Sequence, residues 1–302
     1  MGNIDILKKY YKEVCTPLIF VNETSLEELR NVKVYLYDFN KQQELENFKK
    51  VFQEYMAMYV RNEDIINLYD LSQDIAEQLK KEFKKIYKII TPERKTGVNG
   101  IFGELFNDYY LKNVLNEEIL LAYVSKKEFN NRNEAKGIDL VCCEDKNDIL
   151  EIILSEAKFV GNLNSAKNSL IGDISGEANH LNSEYINNYM NFVLNRQQGL
   201  DSRRKENVTF KITEINKKII LEDKKFVDAI NELKYSIRFI YFAIFQYENN
   251  RKIENFEDSI NEILKEFKKQ VKQTGVNNYS IEIVFIPTFN TSMNLKNKME
   301  EE

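Results

Sequence analysis

Three runs of apolar residues in the middle of the chain constrain its fold more than any other feature. They span Ile119 to Val124, Gly137 to Cys143 and Ile149 to Ala157, and each is apolar on both faces. Strands of this kind belong to a sheet that is covered on both sides. Two further β-rich runs, Ser236 to Phe245 and Ser280 to Ile286, follow with helical sequence between them. The pattern predicts an α/β fold with a mixed central sheet flanked by helices.

Amphipathic periodicity predicts the helices around this sheet. Apolar residues recur at steps of three and four, the spacing that places them on one side of a helix. The predicted helical segments are Ile101 to Val114, Ser165 to Gln198, Lys224 to Leu233 and Ile253 to Lys272. A charged loop, Asp201 to Asn207, lies between the second and third segments, and its basic residues are candidates for contact with a phosphate backbone.

The first 95 residues differ from the rest of the chain in their pattern of apolar residues. They begin with two short β-rich runs, Leu18 to Val21 and Val32 to Tyr37. Long amphipathic periodicity follows, from Gln42 to Val60 and again from Ile65 to Ile90. We therefore predict a mainly helical N-terminal region that closes on the sheet domain or docks a partner.

A change of composition near residue 95 predicts the boundary between two domains. Pro92 ends the preceding helical pattern, because a proline disfavours helical backbone at the residue before it. Three glycines follow closely, at Gly97, Gly100 and Gly103. The predicted division is an N-terminal region of residues 1–95 and a sheet domain of residues 96–302.

Composition excludes several classes of site. The single histidine, His180, rules out zinc proteases, zinc fingers and iron sites that need two. Three cysteines, two of them adjacent, cannot form a disulfide framework or a four-thiolate site. No stretch approaches the roughly 18 apolar residues of a membrane span, and the chain opens with charged residues. We expect a cytoplasmic protein with no membrane partner and no small-molecule cofactor.

The predicted strands carry acidic side chains in positions that need a physical reason. An ionised carboxylate in a buried strand is costly unless a cation or several donors compensate it. A four-residue loop, Asp145 to Asp148, would pair Asp139 with Leu154 and place Asp139, Glu156 and Lys158 on one face of the sheet. Two carboxylates and an ammonium group are the minimum for holding Mg²⁺, or Mn²⁺, beside a water that attacks a phosphodiester.

Other interpretations of these residues remain open from the spacing alone. Asp139 can start an ordinary hairpin strand, with Glu156 and Lys158 as its solvated, ion-paired end. Glu-x-Lys triplets recur elsewhere in this highly charged chain, for example at Glu222. For His180 we expect a surface or helix-packing position, with approach to a scissile phosphate as the alternative.

The motifs resemble those of a known nuclease superfamily. A helix with Gly103-Glu104, a strand with Gly-Ile-Asp139 and a strand ending in Ser-Glu156-Ala157-Lys158-Phe resemble the PD-(D/E)xK nucleases. More narrowly, these strings are similar to the HamA nuclease subunits of the bacterial Hachiman anti-phage system. The resemblance implies that Asp139 and Glu156 bind metal, with the Ala157 carbonyl as a further ligand. It also implies that Lys158 orients or activates water and that Glu104 ligates the metal or positions its water.

The same resemblance implies partners and a biological role. It predicts a restriction-endonuclease-like fold, a DNA substrate, a helicase partner of the HamB type, and destruction of DNA during phage infection. The sequence departs from the superfamily at one position, where Ile138 stands in place of the proline that precedes the first aspartate. The formal charge of −5 suits a nuclease that another protein loads onto DNA better than one that binds DNA alone.

Two functions from other classes compete with the nuclease. The amphipathic N-terminal helices suit an interaction subunit that recruits or restrains a helicase, with the nuclease-like fold as a scaffold. A regulatory protein that binds DNA without metal and never cuts it is the third possibility.

Overall fold

The computed structural model describes most of the C-terminal two thirds of the chain. The described ranges are 32–34, 98–111, 118–121, 138–176, 179–195, 206–246 and 256–288, with isolated residues at 46 and between 77 and 85. The described residues between Glu77 and Lys85 are helical. Residues 32–34 form a strand inside the predicted run Val32 to Tyr37, and Glu46 is helical inside the predicted segment Gln42 to Val60. The rest of the predicted N-terminal elements and the boundary near residue 95 lie outside the described residues and stay predictions.

One mixed β-sheet forms the centre of the described structure. Its strands are β1 (Val32–Val34), β2 (Glu118–Leu121), β3 (Leu140–Lys146), β4 (Ile149–Val160), β5 (Ser236–Gln246) and β6 (Tyr279–Thr288). The spatial order is β1-β6-β5-β4-β3-β2. Strands β1, β6, β5 and β4 run parallel, whereas β4, β3 and β2 form an antiparallel meander. The predicted mixed α/β fold is confirmed.

Helices cover both faces of this sheet. They are α1 (Val98–Tyr109), α2 (Leu163–Ser175), α3 (Ser183–Asn195), α4 (Glu206–Leu221), α5 (Phe226–Leu233) and α6 (Glu257–Gln270), the last continued by a 3-10 helix (Val271–Thr274). Helix α4 is not among the predicted helices, although Val208, Ile212 and Ile215 recur in it at helical spacing and are buried. It begins inside the predicted loop Asp201 to Asn207, whose basic residues lie outside the described residues.

The two faces of the sheet have different cover. On one face, the side chains of Ile152 and Leu154 of β4 join a large apolar cluster with residues of helices α2 to α6. We call this side of the sheet the main-core face. Alternate residues of β4 point the other way, because side chains of a strand alternate between faces. On that side Ser155 Oγ lies 2.9 Å from Asn107 Oδ1 of α1. We call this side the α1 face.

The predicted single helical stretch from Ser165 to Gln198 is wrong, because the chain turns sharply after α2. The N–H of Gly176 bonds to the carbonyl of Gly172 at 2.7 Å and ends the helix. A Cβ at position 176 would lie 2.4 Å from that same oxygen, so only glycine fits there. The amide of His180 then donates to the carbonyl of Asp173 at 2.9 Å, which folds the loop back onto α2.

The predicted register of the β3–β4 hairpin is also wrong, by two residues. Lys146 pairs with Ile149, so the loop contains Asn147 and Asp148 alone. Both loop residues have positive φ, 51° and 66°, as a two-residue type I′ turn requires. An error of two keeps every side chain on its predicted face.

The corrected register changes the neighbour of Asp139. Leu140 pairs with Ser155, so the preceding residue, Asp139, lies across from Glu156 instead of Leu154. No helix within the described ranges is both long and apolar enough to cross a membrane.

Candidate metal and phosphodiester site

Strand β4 carries two charged residues on the main-core face near its C-terminal end. Glu156 and Lys158 are two residues apart and therefore point to the same side. Glu156 is buried, with 4% of its surface exposed, and the Lys158 side chain is 24% exposed. The apolar residues beside them on β4 favour strand formation. Helix α2 and the loop after it contact both charged side chains.

The Glu156 carboxylate contacts two cationic or potentially cationic groups. Its Oε1 lies 2.8 Å from Nδ1 of His180, and its Oε2 lies 3.6 Å from Nζ of Lys158. His180 is itself buried. The expected surface position is therefore wrong, and beyond the expected packing against a helix the imidazole contacts the central carboxylate of the predicted motif.

Lys158 makes its shortest ion pair with a residue of helix α2. Its Nζ lies 2.8 Å from Oδ2 of Asp173. Burial alone would lower the pKa of Lys158, but the combined attraction of Glu156, Asp139 and Asp173 outweighs burial and leaves that pKa raised. The lysine is therefore an ammonium group at neutral pH.

Asp173 shows the opposite balance. Burial raises its pKa, the ion pair with Lys158 opposes that rise, and the negative charge of Asp139 adds to it. His180 also opposes the rise, so the pKa of Asp173 is raised mainly because the carboxylate is buried.

Asp139 lies at the start of β3 beside the peptide that follows Glu156. Its Oδ2 accepts a hydrogen bond from the N–H of Ala157 at 2.7 Å. This bond ties the Asp139 carboxylate to the strand that carries Glu156 and Lys158. We name Asp139, Glu156, Lys158, Asp173 and His180 the Glu156 cluster.

Helix α1 reaches the same end of β4 from the α1 face. A Cβ on Gly103 would lie 3.2 Å from the backbone carbon of Lys158 and from the backbone nitrogen of Phe159. The absence of a side chain thus lets α1 pack directly on the strand, and it brings the next residue, Glu104, close to the site.

Electrostatic effects on Tyr189 of α3 locate Glu104 relative to the cluster. Burial raises the pKa of Tyr189, and nearby acidic groups raise it further. Three of those groups are the carboxylates of Glu104, Asp139 and Glu156. Glu104, Asp139 and Glu156 therefore all act electrostatically on Tyr189, and Lys158 contacts Glu156 directly.

A column of aromatic rings holds the imidazole in place. The ring of Tyr185 stacks on His180 with centroids 4.9 Å apart and planes 20° apart, and Tyr189 stacks on Tyr185 at 6.0 Å. The Tyr189 hydroxyl donates to the carbonyl of Ile138 at 2.5 Å. Helix α3 thus links the His180 loop to the residue before Asp139.

The described residues offer suitable donors for a divalent cation. Carboxylate oxygens are the ligands that Mg²⁺ and Mn²⁺ prefer, and the Glu156 cluster brings three carboxylates and one ammonium group together. One ligand atom from each of Glu156, Asp173 and His180 lies within 4.8 Å of the other two. That group does not include Asp139, although Asp139 is beside it. The site therefore fits the implied Mg²⁺ or Mn²⁺.

The sequence did not indicate Asp173 as a site residue, and it left His180 at the site only as the alternative. Both depend on the loop that Gly176 creates between α2 and α3, which the predicted continuous helical stretch did not contain. The available signal was Gly176 itself, followed closely by the only histidine of the chain.

Comparison with known protein families gives a match over nearly the whole chain. The family model of HamA matches residues 11–302, nearly the whole chain. No curated protein matches the chain. A match of this extent includes the Glu104 helix, both motif strands and the helices behind them, and the chain therefore belongs to the HamA family of Hachiman anti-phage defence.

Proposed function

We propose that this chain is a metal-dependent deoxyribonuclease that cuts DNA phosphodiesters together with a helicase partner. The observation that carries the proposal is the meeting of Asp139, Glu156 and Lys158 at one end of β4, with the contacts given above. A helix with glutamate, a strand with aspartate and a strand ending in Glu-x-Lys follow in the order of a PD-(D/E)xK nuclease. Membership of the HamA family supports the same assignment.

In this proposal Asp139 and Glu156 would hold Mg²⁺ or Mn²⁺, with the Ala157 carbonyl as a further ligand. The bound cation supplies Lewis-acid polarisation of the phosphate and lowers the pKa of a bound water. Glu104 acts electrostatically on Tyr189, whose hydroxyl bonds to the residue before Asp139, and Glu104 would position the water or add a ligand.

Lys158 has a role that follows from its charge. Because its pKa is raised, the ammonium group cannot accept a proton from water at neutral pH. It can attract the scissile phosphate and donate hydrogen bonds to a water or to the oxygen that gains negative charge. We therefore assign it orientation and charge stabilisation, and not the role of a general base.

The net charge of the chain supports a partner that delivers DNA. With 43 Lys and Arg against 48 Asp and Glu, the whole chain repels a polyanion at long range. A helicase that already holds DNA would overcome this repulsion, and it would restrict cutting in the cytoplasm to DNA that the helicase has engaged.

Cleavage of plasmid DNA by the purified chain, with and without the helicase, tests the proposal. In Mg²⁺ or Mn²⁺ we expect Glu156→Gln and Lys158→Met each to lose roughly 10²-fold or more of the cleavage rate. Glu222→Gln is the matched control, because Glu222 belongs to an exposed Glu-x-Lys triplet outside the cluster and should keep the wild-type rate.

Unchanged cleavage in both site variants would overturn the nuclease assignment. An interaction subunit makes a different prediction, namely that Asp139→Asn keeps both helicase binding and phage resistance. Loss of resistance with helicase binding preserved favours the enzyme.

A further inference from the structure

His180 and Asp173 are placed to serve the metal site as ligands, in addition to the residues of the motif. Their ligand atoms and a Glu156 oxygen lie within 4.8 Å of one another, the only such group of histidine, cysteine or acidic residues in the described ranges. Ligands that bind one divalent ion at about 2.0–2.2 Å lie no farther apart than about 4.4 Å, so these spacings need little adjustment.

The charges of the Glu156 cluster fit one dication. Asp139, Glu156 and Asp173 bring three carboxylates, and Lys158 brings one ammonium group 2.8 Å from Asp173 and 3.6 Å from Glu156. With a neutral imidazole the remaining charge is −2. The ammonium group lies where a metal bound to Glu156 and Asp173 would compete with it, so metal binding would free Lys158 to turn toward a substrate phosphate.

The imidazole is fixed before any metal arrives. Its own amide donates to the Asp173 carbonyl at 2.9 Å, so the two residues are held together through the backbone. Asn179, the preceding residue, has φ of 26° and sets the turn, and the ring of Tyr185 stacks on the imidazole. A ligand held in this way loses little conformational entropy on binding.

From this geometry we propose that His180 and Asp173 join Glu156 as metal ligands and make the site one of mixed nitrogen and oxygen donors. The proposal rests on the metal-dependent function above. An imidazole nitrogen favours transition metals over Mg²⁺, so the site should bind Mn²⁺ more tightly than an all-oxygen site would. The competing role for His180 is purely positional, as a hydrogen-bond donor to Glu156 Oε1.

Electron spin echo spectroscopy of bound Mn²⁺ separates the two roles. The chain contains a single histidine, so in an untagged protein an imidazole ¹⁴N coupling can come from His180 alone. We expect this coupling in the wild type and its loss in His180→Gln, whose amide can still donate a hydrogen bond to Glu156 but offers no imidazole nitrogen.

Metal titrations supply a second measurement. Mn²⁺ affinity should fall by about tenfold or more in His180→Gln and in Asp173→Asn. Mg²⁺ affinity should fall to that extent only in Asp173→Asn, because the nitrogen ligand contributes little to Mg²⁺ binding. Circular dichroism checks that each variant is folded, and Glu222→Gln again serves as the matched control.

Each outcome decides something different. Bound Mn²⁺ without imidazole coupling in the wild type overturns the ligand role of His180, even if Glu156-dependent cleavage stands. Coupling without any DNA cleavage supports the metal site but overturns the proposed nuclease. Absence of Mn²⁺ binding to the wild-type chain overturns both.

Discussion

The central sheet carries a charged cluster on each face, and the two clusters differ in how their charges are balanced. On the α1 face, Arg238 of β5 lies 3.0 Å from Glu151, 3.4 Å from Glu282 and 3.8 Å from Glu144. Lys146 pairs with Glu144 at 2.6 Å and with Glu151 at 3.0 Å. We name these five residues the Arg238 cluster.

The Arg238 cluster is close to neutral and is held entirely by strands. Two cations face three carboxylates, and the hydroxyl of Tyr110 donates to Glu282 Oε1 at 2.6 Å. Its members come from β3, β4, β5 and β6, so the cluster ties neighbouring strands together. The remaining charge is −1, smaller than the −2 of the Glu156 cluster with a neutral imidazole, and each carboxylate lies within 4 Å of a cation.

The Glu156 cluster has the same number of carboxylates but one ammonium group. It also takes Asp173 and His180 from a helix end and a loop, where positions can adjust when a ligand binds. A carboxylate in a buried strand is therefore not by itself the mark of a site. A surplus of negative charge among preorganised donors is the more informative feature.

Replacing Arg238 should break the first cluster and produce the largest stability loss. In Arg238→Met, three carboxylates would lose their central partner in a half-buried or buried setting. We expect the free energy of unfolding in urea to fall by about 3–5 kcal/mol. Lys146→Met is the control, because that side chain is 48% exposed and should cost no more than about 1 kcal/mol. Equal losses in the two variants would contradict the structural role of Arg238.

Metal should stabilise the protein through the second cluster alone. At a Mn²⁺ concentration 100 times the Kd, the wild-type free energy of unfolding should rise by about 2.7 kcal/mol relative to protein in chelator. Glu156→Gln should lose most of this gain yet unfold in chelator within about 1 kcal/mol of the wild type, because it removes part of the surplus charge. Lys146→Met should keep the gain, and a loss in that variant would show that the metal binds elsewhere.

Much of the sheet could be predicted because buried strands have a strong local signature. The predicted strand Ser236 to Phe245 differs from β5 by one residue at its end. The charged interruptions of these apolar runs also mark Asp139, Glu156 and Lys158 from local pattern alone. Here the relevant physics, burial cost and side-chain alternation, acts within a few residues.

The features that could not be predicted depend on contacts between residues that sequence spacing does not encode. Asp173 and His180 come together because α2 ends at Gly176. Any residue other than glycine there would place its Cβ 2.4 Å from the carbonyl oxygen of Gly172. The loop then closes through the amide of His180 onto the carbonyl of Asp173. The hairpin register failed for a related reason, since side-chain alternation determines parity but not the length of the turn.

Two glycines in the helices on opposite sides of the sheet differ in how closely they pack on their neighbours. Gly103→Ala should push α1 away from the backbone at Lys158, where the new Cβ would lie 3.2 Å from two atoms. Overpacking outweighs the gain in helix propensity, and we expect a loss of about 1–2 kcal/mol in unfolding free energy together with slower DNA cleavage.

Gly172→Ala in α2 is the matched comparison for Gly103→Ala. A Cβ at Gly172 would have no neighbour within 4 Å, so helix propensity alone should act and raise stability by about 0.5–1 kcal/mol. Equal effects of the two substitutions in thermal or urea unfolding would show that α1 does not press on β4.

The hairpin offers the smallest effect and tests the register on which both clusters depend. Asp148 has φ of 66° at the second position of the turn, a conformation that glycine adopts without steric cost. Asp148→Gly creates the Asn-Gly pair that type I′ turns favour, and its side chain is 96% exposed, so its 3.7 Å contact with Lys211 contributes little. Relief of the left-handed backbone outweighs the extra conformational entropy that glycine gives the unfolded chain, and we expect the free energy of unfolding to rise by about 0.5 kcal/mol. In the predicted register, by contrast, Asp148 would be the last residue of a four-residue loop, Asp145 to Asp148. There would then be no type I′ turn at this position for glycine to stabilise. A stabilised variant with unchanged metal affinity would therefore support a register that sets Asp139 across from Glu156, whereas a loss of stability would contradict it.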